Sequence, residues 1–304
     1  APSNMLNNAN IASTKDVGIS VAAADRSKFD KDVAAKIGNR PVIELNVAAD
    51  GKKVEFNNPN APVTVIIPYK PTAEELKNPE HIVVWYIDGA GKAVAVPNGK
   101  YDAASGAVVF TTTHFSKYAV SYVLKTFSDI KEYTWASKSI EVMASKGIIN
   151  GTSETTFAPG ANITRADFVV LLVKTLGLTA NADSNFSDVK ATDYYAEALG
   201  IAKKLGIIMG RGDNKFSPTD EISRQEMLVI MARAMKVAKK LNTIGTSADL
   251  NAYTDKAQIA SYAVNDIAAL VKDGIVKGSN NMINPDDKAS RAEVAVLMYR
   301  IYNK

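Results

Sequence analysis

The sequence predicts a chain of two unlike parts, an antiparallel β part followed by a mainly α-helical part. Three observations predict this division. Short runs of β-branched and aromatic residues, separated by turn residues, occupy the chain up to about residue 125. After residue 125, apolar residues recur three and four positions apart, which is the period of a helix. A composite pattern occurs three times in the second part. We therefore expect domains at residues 1–124 and 125–304.

The β part contains runs of strand-forming residues between turn signals such as Asp50-Gly51 and Asn98-Gly99. Short strands at this spacing are typical of an immunoglobulin-like β-sandwich. We expect one helical turn at 73–77 and a partly ordered segment or an entering strand at 1–16. The predicted strands are 43–47, 54–56, 63–69, 81–87, 93–96, 107–113 and 118–123.

The composition of the 304 residues excludes several classes of function. The absence of Cys excludes disulfides, thiolate metal sites and cysteine nucleophiles, and only two His are present. A net charge of +4 is too weak to indicate nucleic acid binding. No apolar run approaches the ~20 residues of a membrane-spanning helix, and the first eight residues lack the features of a signal peptide. We expect no metal, no cofactor, no nucleic acid partner and no membrane insertion.

The helical part is a threefold internal repeat, with copies at about 127–180, 186–240 and 253–304. The first two copies align without a gap at an offset of 59, and the third needs two one-residue shifts. Each copy opens with an aromatic-x-Asp sequence and passes through two glycines and a proline. Each then closes on a Thr/Ser-Arg-x-Asp/Glu sequence.

The closing sequence is a capping box, in which a hydroxyl and an acid three residues later satisfy the first amides of a helix. Its members are Thr164 and Asp167, Ser223 and Glu226, and Ser290 and Glu293. Asp167 is the shorter acid, so its box should be the weaker one.

The capping box leaves unexplained the arginine at the first helical position of every copy, namely Arg165, Arg224 and Arg291. One interpretation is an anion site, because helix N–H groups and a guanidinium would point at the same carboxylate or phosphate. The other is structural: each Arg would pair with the opening Asp of a neighbouring copy, Asp129, Asp188 or Asp255.

Tripled in this way, the motifs resemble the S-layer homology (SLH) family over Phe127–Lys304. The resemblance implies a pseudo-threefold unit with grooves between adjacent repeats. It also implies non-covalent anchoring to a cell wall polymer bearing pyruvylated N-acetylmannosamine, at the cell surface. The implied groove residues are the three arginines with Asp129, Asp188, Asp255, Trp135, Tyr194, Tyr262, Gly151, Gly210 and Gly278.

Departures from the family pattern favour one or two working grooves, which should involve the first and second copies. Tyr194 and Tyr262 stand where the first copy has Trp135, and Tyr195 is an alternative counterpart. Asp167 replaces Glu, and Ile283 replaces the loop Phe. We expect Arg165→Ala or Arg224→Ala to weaken wall binding while folding stays nearly intact.

No catalytic residues are predicted, so we expect an anchoring module and not an enzyme. His114, Ser116 and Asp102 lack the spacing of a triad. The tripeptide Arg211-Gly-Asp is interpreted as a turn, and Met227, Met231 and Met235 as core residues. The β part resembles a module that precedes SLH repeats, and we interpret it as a spacer. The alternatives are a self-assembling array segment and the anchor of a larger glycan-degrading enzyme.

Overall fold

The computed structural model describes residues 16–304, whose contacts form two compact units. The first unit extends to Lys125 and includes Ala144–Ile148. The second comprises Thr126–Met143 and Ile149–Lys304. Our expectation for the N-terminal segment lies, apart from Asp16, outside the described residues.

The first unit is built on two antiparallel sheets. The larger has the strand order β1-β2-β9-β5-β6, with β3 also paired to β2, and the smaller has the order β4-β8-β7. The described strands are β1 (Val17–Ala23), β2 (Val42–Ala49), β3 (Lys52–Val54), β4 (Val63–Pro68), β5 (Ile82–Ile87), β6 (Ala93–Val96), β7 (Lys100–Asp102), β8 (Ala107–Thr112) and β9 (Lys117–Tyr122).

The two sheets share one apolar core. Leu45, Val84 and Tyr118 of the larger sheet pack in the same buried cluster as Val65 and Phe110 of the smaller one. The alternation of buried and exposed residues along β4 is the pattern expected of a strand with one face on a core. The antiparallel β part is therefore as predicted.

Three elements of this unit were not predicted, namely β1, β7 and a helix, α1 (Lys31–Ile37). The carboxylate of Asp30 caps α1 by accepting from the Asp32 N–H. Ile37 packs with Val42 and Ile87. A seven-residue helix is too short to show a helical period above its surroundings. The predicted turn at 73–77 is present as a 3-10 helix at Glu75–Lys77.

The second unit is mainly helical, as predicted, and each copy contributes two helices. Met227, Met231 and Met235 have no exposed surface and belong to its core. None of the helices in the described part of the chain is both long and apolar enough to cross a membrane. The helices are α2 (Thr134–Ser145), α3 (Arg165–Leu176), α4 (Ala196–Lys204), α5 (Arg224–Val237), α6 (Val264–Lys272) and α7 (Arg291–Tyr302).

A closed triangle of backbone hydrogen bonds joins the three copies. The Ile163 N–H donates to the Ala289 carbonyl (3.0 Å), the Ala289 N–H to the Ile222 carbonyl (3.3 Å), and the Ile222 N–H to the Ile163 carbonyl (3.1 Å). All three residues are almost fully buried. They immediately precede the caps of α3, α5 and α7, so the triangle sets where these helices begin.

A buried carboxylate holds the first turn of the 3-10 helix in the β unit. Glu75 is 3% exposed and accepts from Arg40 Nε (2.8 Å), the Tyr69 hydroxyl and the Thr72 N–H (2.8 Å). Burial alone would raise the pKa of Glu75, but the hydrogen bonds from Thr72, Tyr69 and Arg40 outweigh it and hold the pKa below its usual value.

We predict that Glu75→Gln lowers the free energy of unfolding of the β unit by about 3 kcal/mol at pH 7, because Arg40 loses its buried partner. The folded pKa lies below the unfolded pKa. The carboxylate's stabilisation is therefore complete above the unfolded pKa and is lost as pH falls through the folded pKa. The difference should accordingly shrink in acid.

Urea unfolding in a Trp135→Phe background, where Trp85 reports on the β unit, measures this difference. Glu74→Gln is the matched control because Glu74 forms only an exposed pair with Lys77. Equal losses in the two variants, or a Glu75→Gln loss independent of pH, would contradict the prediction.

Candidate functional site

Each core helix of the second unit begins on a loop of the next copy. The N–H groups of Arg165 and Ala166 donate to the carbonyls of Asp220 (2.8 Å) and Pro218 (3.0 Å). The same pair of bonds joins α5 to the loop of the third copy, and α7 to the loop of the first. The helix amides are therefore already paired. The expectation that they would bind an anion together with the arginine is wrong, and any anion must be held by side chains.

The opening aspartates hold these receiving loops. Asp129 accepts from the N–H groups of Phe157 and Ala158 (2.7–3.1 Å). Asp188 and Asp255 make the equivalent bonds in the second and third copies. Burial would raise the pKa of Asp129, but its backbone hydrogen bonds outweigh this and lower it.

Two of the three arginines are packed on the loop that their helix contacts. The Arg165 guanidinium lies 4.5 Å from the centre of the Phe216 ring, and its Nε donates to the Phe216 carbonyl (2.9 Å). Arg291 repeats both contacts on Phe157 and also donates to the Asn150 carbonyl (2.7 Å). Such cation–π contacts contribute about 1 kcal/mol each.

Arg224 is the exception, because Ile283 replaces the loop Phe. Its NH1 group lies 3.2 Å from Glu293 Oε1, and its Nε is buried without a hydrogen-bond partner among the described residues. A buried guanidinium donor without an acceptor costs free energy. Of the three arginines, Arg224 is therefore the least completely paired with the protein.

The acid of each capping box faces the arginine of the preceding copy. Ser223 with Glu226 and Ser290 with Glu293 form complete boxes. Glu226 also pairs with Arg165 (2.8 Å). The carboxylate of the shorter Asp167 accepts from the Thr164 hydroxyl, which in turn accepts from the Asp167 N–H. Under the structural interpretation the partners were to be the opening aspartates. The structure instead pairs Arg165 and Arg224 with box acids.

All three copies contribute to each groove. The first groove, named here by Arg165, Glu226 and Tyr262, takes these residues from the first, second and third copies and encloses about 360 Å³. The second groove, named by Arg224, Glu293 and Trp135, takes them from the second, third and first copies and encloses about 390 Å³. Both volumes lie within the range of small-molecule sites.

The third groove is named by Arg291, Asp167 and Tyr194, from the third, first and second copies. The Tyr194 hydroxyl donates to Asp167 Oδ1 (2.6 Å), which joins two of its walls. Burial, and then this bond to Asp167, raises the pKa of Tyr194. Trp135, Tyr194 and Tyr262 are all more than half exposed, so each presents a ring to solvent.

Each of the first two grooves also contains a second basic residue that the sequence analysis did not single out. Arg233 lines the first groove and Arg300 the second. The repeat offset aligns both with Lys174 of the first copy. This position lies on the helix that the closing arginine begins, and it is basic in all three copies. That repeated basic residue was the signal in the sequence that could have identified them.

The groove glycines are required by their own loops. A Cβ at Gly210 would lie 2.5 Å from the Lys215 carbonyl oxygen and 2.9 Å from the Phe186 ring. Gly151 and Gly278 are crowded in the same way by Phe127 and Tyr253. Their expected part in admitting a ligand stays a prediction.

The Arg211-Gly-Asp tripeptide forms the predicted turn, in which Gly212 and Asp213 have positive φ. Arg211 itself donates to Glu226 (2.7 Å) and to Asp220 (2.8 Å). It therefore adds a cation to the first groove at a position where the other copies have Thr152 and Ser279.

The fold and the site define a class of protein in which repeated helical copies are joined by backbone hydrogen bonds and share grooves. Comparison with known proteins gives the family. The model described as "S-layer homology domain" matches residues 126–169, 185–228 and 252–295. The chain belongs to the S-layer homology family through these three repeats, which localises it to the cell wall or cell surface.

The relatives include enzymes and surface-layer proteins. An amylopullulanase of Thermoanaerobacterium thermosulfurigenes is 35% identical over 98% of this chain and 16% of its own length. Exoglucanase XynX of Acetivibrio thermocellus is 39% identical over 59% of this chain and 16% of its own. A surface-layer 125 kDa protein of Lysinibacillus sphaericus is 26% identical over 66% and 17%. The chain thus spans about a sixth of each relative.

We predict that Asp188→Asn lowers the free energy of unfolding of the helical unit by about 2 kcal/mol, because two loop amides lose a charged acceptor. Urea unfolding in a Trp85→Phe background, where Trp135 reports on the helical unit, measures the change. Asp183→Asn is the control, since Asp183 forms an exposed pair with Lys204. An Asp188→Asn loss no larger than the control's would contradict the structural role.

Proposed function

We propose that the chain anchors a bacterial surface protein to the cell wall by binding an anionic wall glycopolymer in its inter-repeat grooves. The observation that carries the proposal is the composite groove, in which a closing arginine, a second basic residue and an exposed aromatic ring converge from three copies. A guanidinium pairs with a sugar-borne carboxylate. An exposed ring offers an apolar face to the sugar.

The ligand in this proposal is a pyruvylated N-acetylmannosamine-type unit. Residues 1–126 hold 14 basic and 12 acidic residues, and the rest 22 and 20, so bulk charge does not attract a polyanion to either part. Recognition would therefore depend on individual basic side chains that the fold positions in the groove. In the second groove these are Arg224 and Arg300, with Glu293 as the opposing acid.

We place the primary site in the second groove. Arg224 pairs with Glu293 at 3.2 Å and lacks the loop-carbonyl bond that the other two closing arginines each make. Its guanidinium is therefore the one that we expect to pair with a ligand carboxylate. The tryptophan of the groove, Trp135, is 57% exposed beside it. In the first groove, Glu226 already pairs with Arg165 and Arg211, so the ligand must compete with a filled ion pair, and we assign this groove the weaker site.

The third groove is proposed not to bind. Arg291 already donates to two carbonyls and lies over Phe157, and Tyr194 bonds to Asp167 across the groove. A ligand would have to break these bonds before it gained its own. This agrees with the expectation of one or two working grooves.

The finer description of the fold belongs to the same proposal. We propose an immunoglobulin-like sandwich, which the shared core of the two antiparallel sheets supports. We also propose a pseudo-threefold helical domain, which the cyclic backbone bonds support. Domain boundaries near residue 125 accord with the start of the SLH match at residue 126.

The chain itself is proposed to be non-enzymatic, because residues 127–304 contain neither His nor Cys to act as a base or nucleophile. Relatives named as an amylopullulanase and an exoglucanase favour a second candidate, the anchor portion of a larger glycan-degrading enzyme. The surface-layer relative favours a segment of a self-assembling array.

We predict that Arg224→Ala weakens binding to purified cell-wall sacculi at least tenfold, because a charge-assisted hydrogen bond is worth about 2 kcal/mol. Trp135→Ala should also weaken this binding, because the sugar loses the apolar face of the ring. Lys190→Ala, at an exposed lysine outside both grooves, is the control. Arg165→Ala is less suitable, since Arg165 is 4% exposed and its loss should also destabilise the fold. Unchanged co-sedimentation of the Arg224→Ala variant would overturn the site.

Calorimetric titration with pyruvylated N-acetylmannosamine should give no more than two sites per chain, and the sugar without pyruvate should bind at least tenfold more weakly. The carboxylate is absent from the second ligand, so the guanidinium pairing is lost. Three equivalent sites, or equal affinity for both sugars, would contradict the assignment of the grooves.

A further inference from the structure

In the larger sheet of the β unit, one edge of β2 changes its neighbouring strand, and we call this place the fork. The proposed anchoring function does not involve it. One edge of β2 pairs with β9 up to Leu45, whose N–H donates to the Ser116 carbonyl (3.0 Å). From Val47 onward the same edge pairs with β3 instead. Asn46 lies at the point where the neighbour changes.

The fork opens into a cleft of about 770 Å³, which we call the fork cleft and define by Phe29, Glu44, Asn46, Lys53, His114 and Lys117. Beyond β3 the chain returns to the start of β9, where the Phe115 N–H donates to the Phe56 carbonyl (3.1 Å). Strands therefore border the cleft, and its volume suits a ligand of several rings.

The wall of the fork cleft is preformed. The Asp30 N–H, next to Phe29, donates to the Gly91 carbonyl (3.0 Å). A Cβ at Gly91 would lie 2.3 Å from the Lys28 carbonyl oxygen, so only glycine permits this close approach. A ligand would not have to order these two loops, which lowers the cost of binding.

The floor of the cleft combines donors and acceptors with no net charge. Lys28, Lys53 and Lys117 line it against Glu44, Glu55 and Asp88. Lys53 and Glu44 pair at 2.9 Å, and hydrogen bonding to Lys53, against the effect of burial, lowers the pKa of Glu44. Equal numbers of basic and acidic residues favour neither an anion nor a cation, but they offer hydrogen-bond donors and acceptors.

One acceptor in this floor has no partner. Asn46 Oδ1 is buried and makes no hydrogen bond within residues 16–304. A buried carbonyl oxygen without a donor is a net cost to the fold. Because this oxygen has almost no accessible surface, a ligand hydroxyl would satisfy it only after the Asn46 side chain rotates toward the cleft. The half-buried Phe29 ring also lines the cleft, with Lys117 Nζ 5.8 Å from its centre. The ring supplies an apolar surface for the carbon face of such a ligand.

A peptide added as a further strand does not fit these observations. β2 pairs with β1 along one edge, and with β9 and then β3 along the other. The edge at the fork is thus already used, whereas strand addition needs a free one. We propose that the fork cleft binds a neutral oligosaccharide, through the Asn46 carbonyl, the Lys53–Glu44 pair and the Phe29 ring.

The test is calorimetric titration of the full chain with three neutral glycans: an N-acetylglucosamine hexamer, which represents wall glycan, and the glucose hexamers cellohexaose and maltohexaose. We expect at least one to bind, and the preferred glycan identifies the source of the ligand. Lys53→Ala and Asn46→Ala should weaken that binding at least tenfold. Lys52→Ala is the matched control, because Lys52 is adjacent to Lys53 on β3 but is not among the residues that line the cleft.

Two further measurements keep this site distinct from the SLH grooves. Arg224→Ala should leave binding of the neutral glycan unchanged, and Lys53→Ala should leave binding of pyruvylated N-acetylmannosamine unchanged. Asn46→Ala should keep or raise the melting temperature, since it removes an unpaired acceptor. No binding of any of the three glycans would overturn the proposal. Equal effects of Lys52→Ala and Lys53→Ala, or binding only of a polyanion such as polygalacturonate, would do so as well.

Discussion

The helical unit depends on one closed triangle of backbone hydrogen bonds, formed by Ile163, Ile222 and Ala289. A triangle closes only when all three copies are present and in order, so each copy is held between the other two. From this constraint follows the docking of each helix start on the loop of the next copy. The grooves then lie where these loops, the following helices and the exposed aromatic rings converge.

The same residues consequently serve the fold before they can serve a ligand. The opening aspartates stabilise the loops, and the loops receive the arginines through a carbonyl and an aromatic ring. A residue fully occupied in this way has little left to offer a ligand. Arg224 lacks the ring and loop-carbonyl contacts of the other two arginines, and for this reason we propose the second groove as the primary site.

The sequence predicted the two-part division, most strands and the triplicate helical pattern, because these depend on local periodicity and repetition. It did not predict α1 or β7, which are shorter than the window over which a period can be measured. It predicted columns of the repeat that line the grooves. It did not predict which copies meet, because a groove built from three copies depends on how the copies join. It also assigned to a ligand the helix amides that the neighbouring loops occupy.

The central claim is that the three copies form one cooperative ring, and amide hydrogen exchange tests it most directly. The N–H groups of Ile163, Ile222 and Ala289 should exchange only through global unfolding of the helical unit, with the same free energy of opening within about 0.5 kcal/mol. Exchange of any one of them through a local opening, several kcal/mol below the other two, would show that the ring opens at a single copy and would contradict the account.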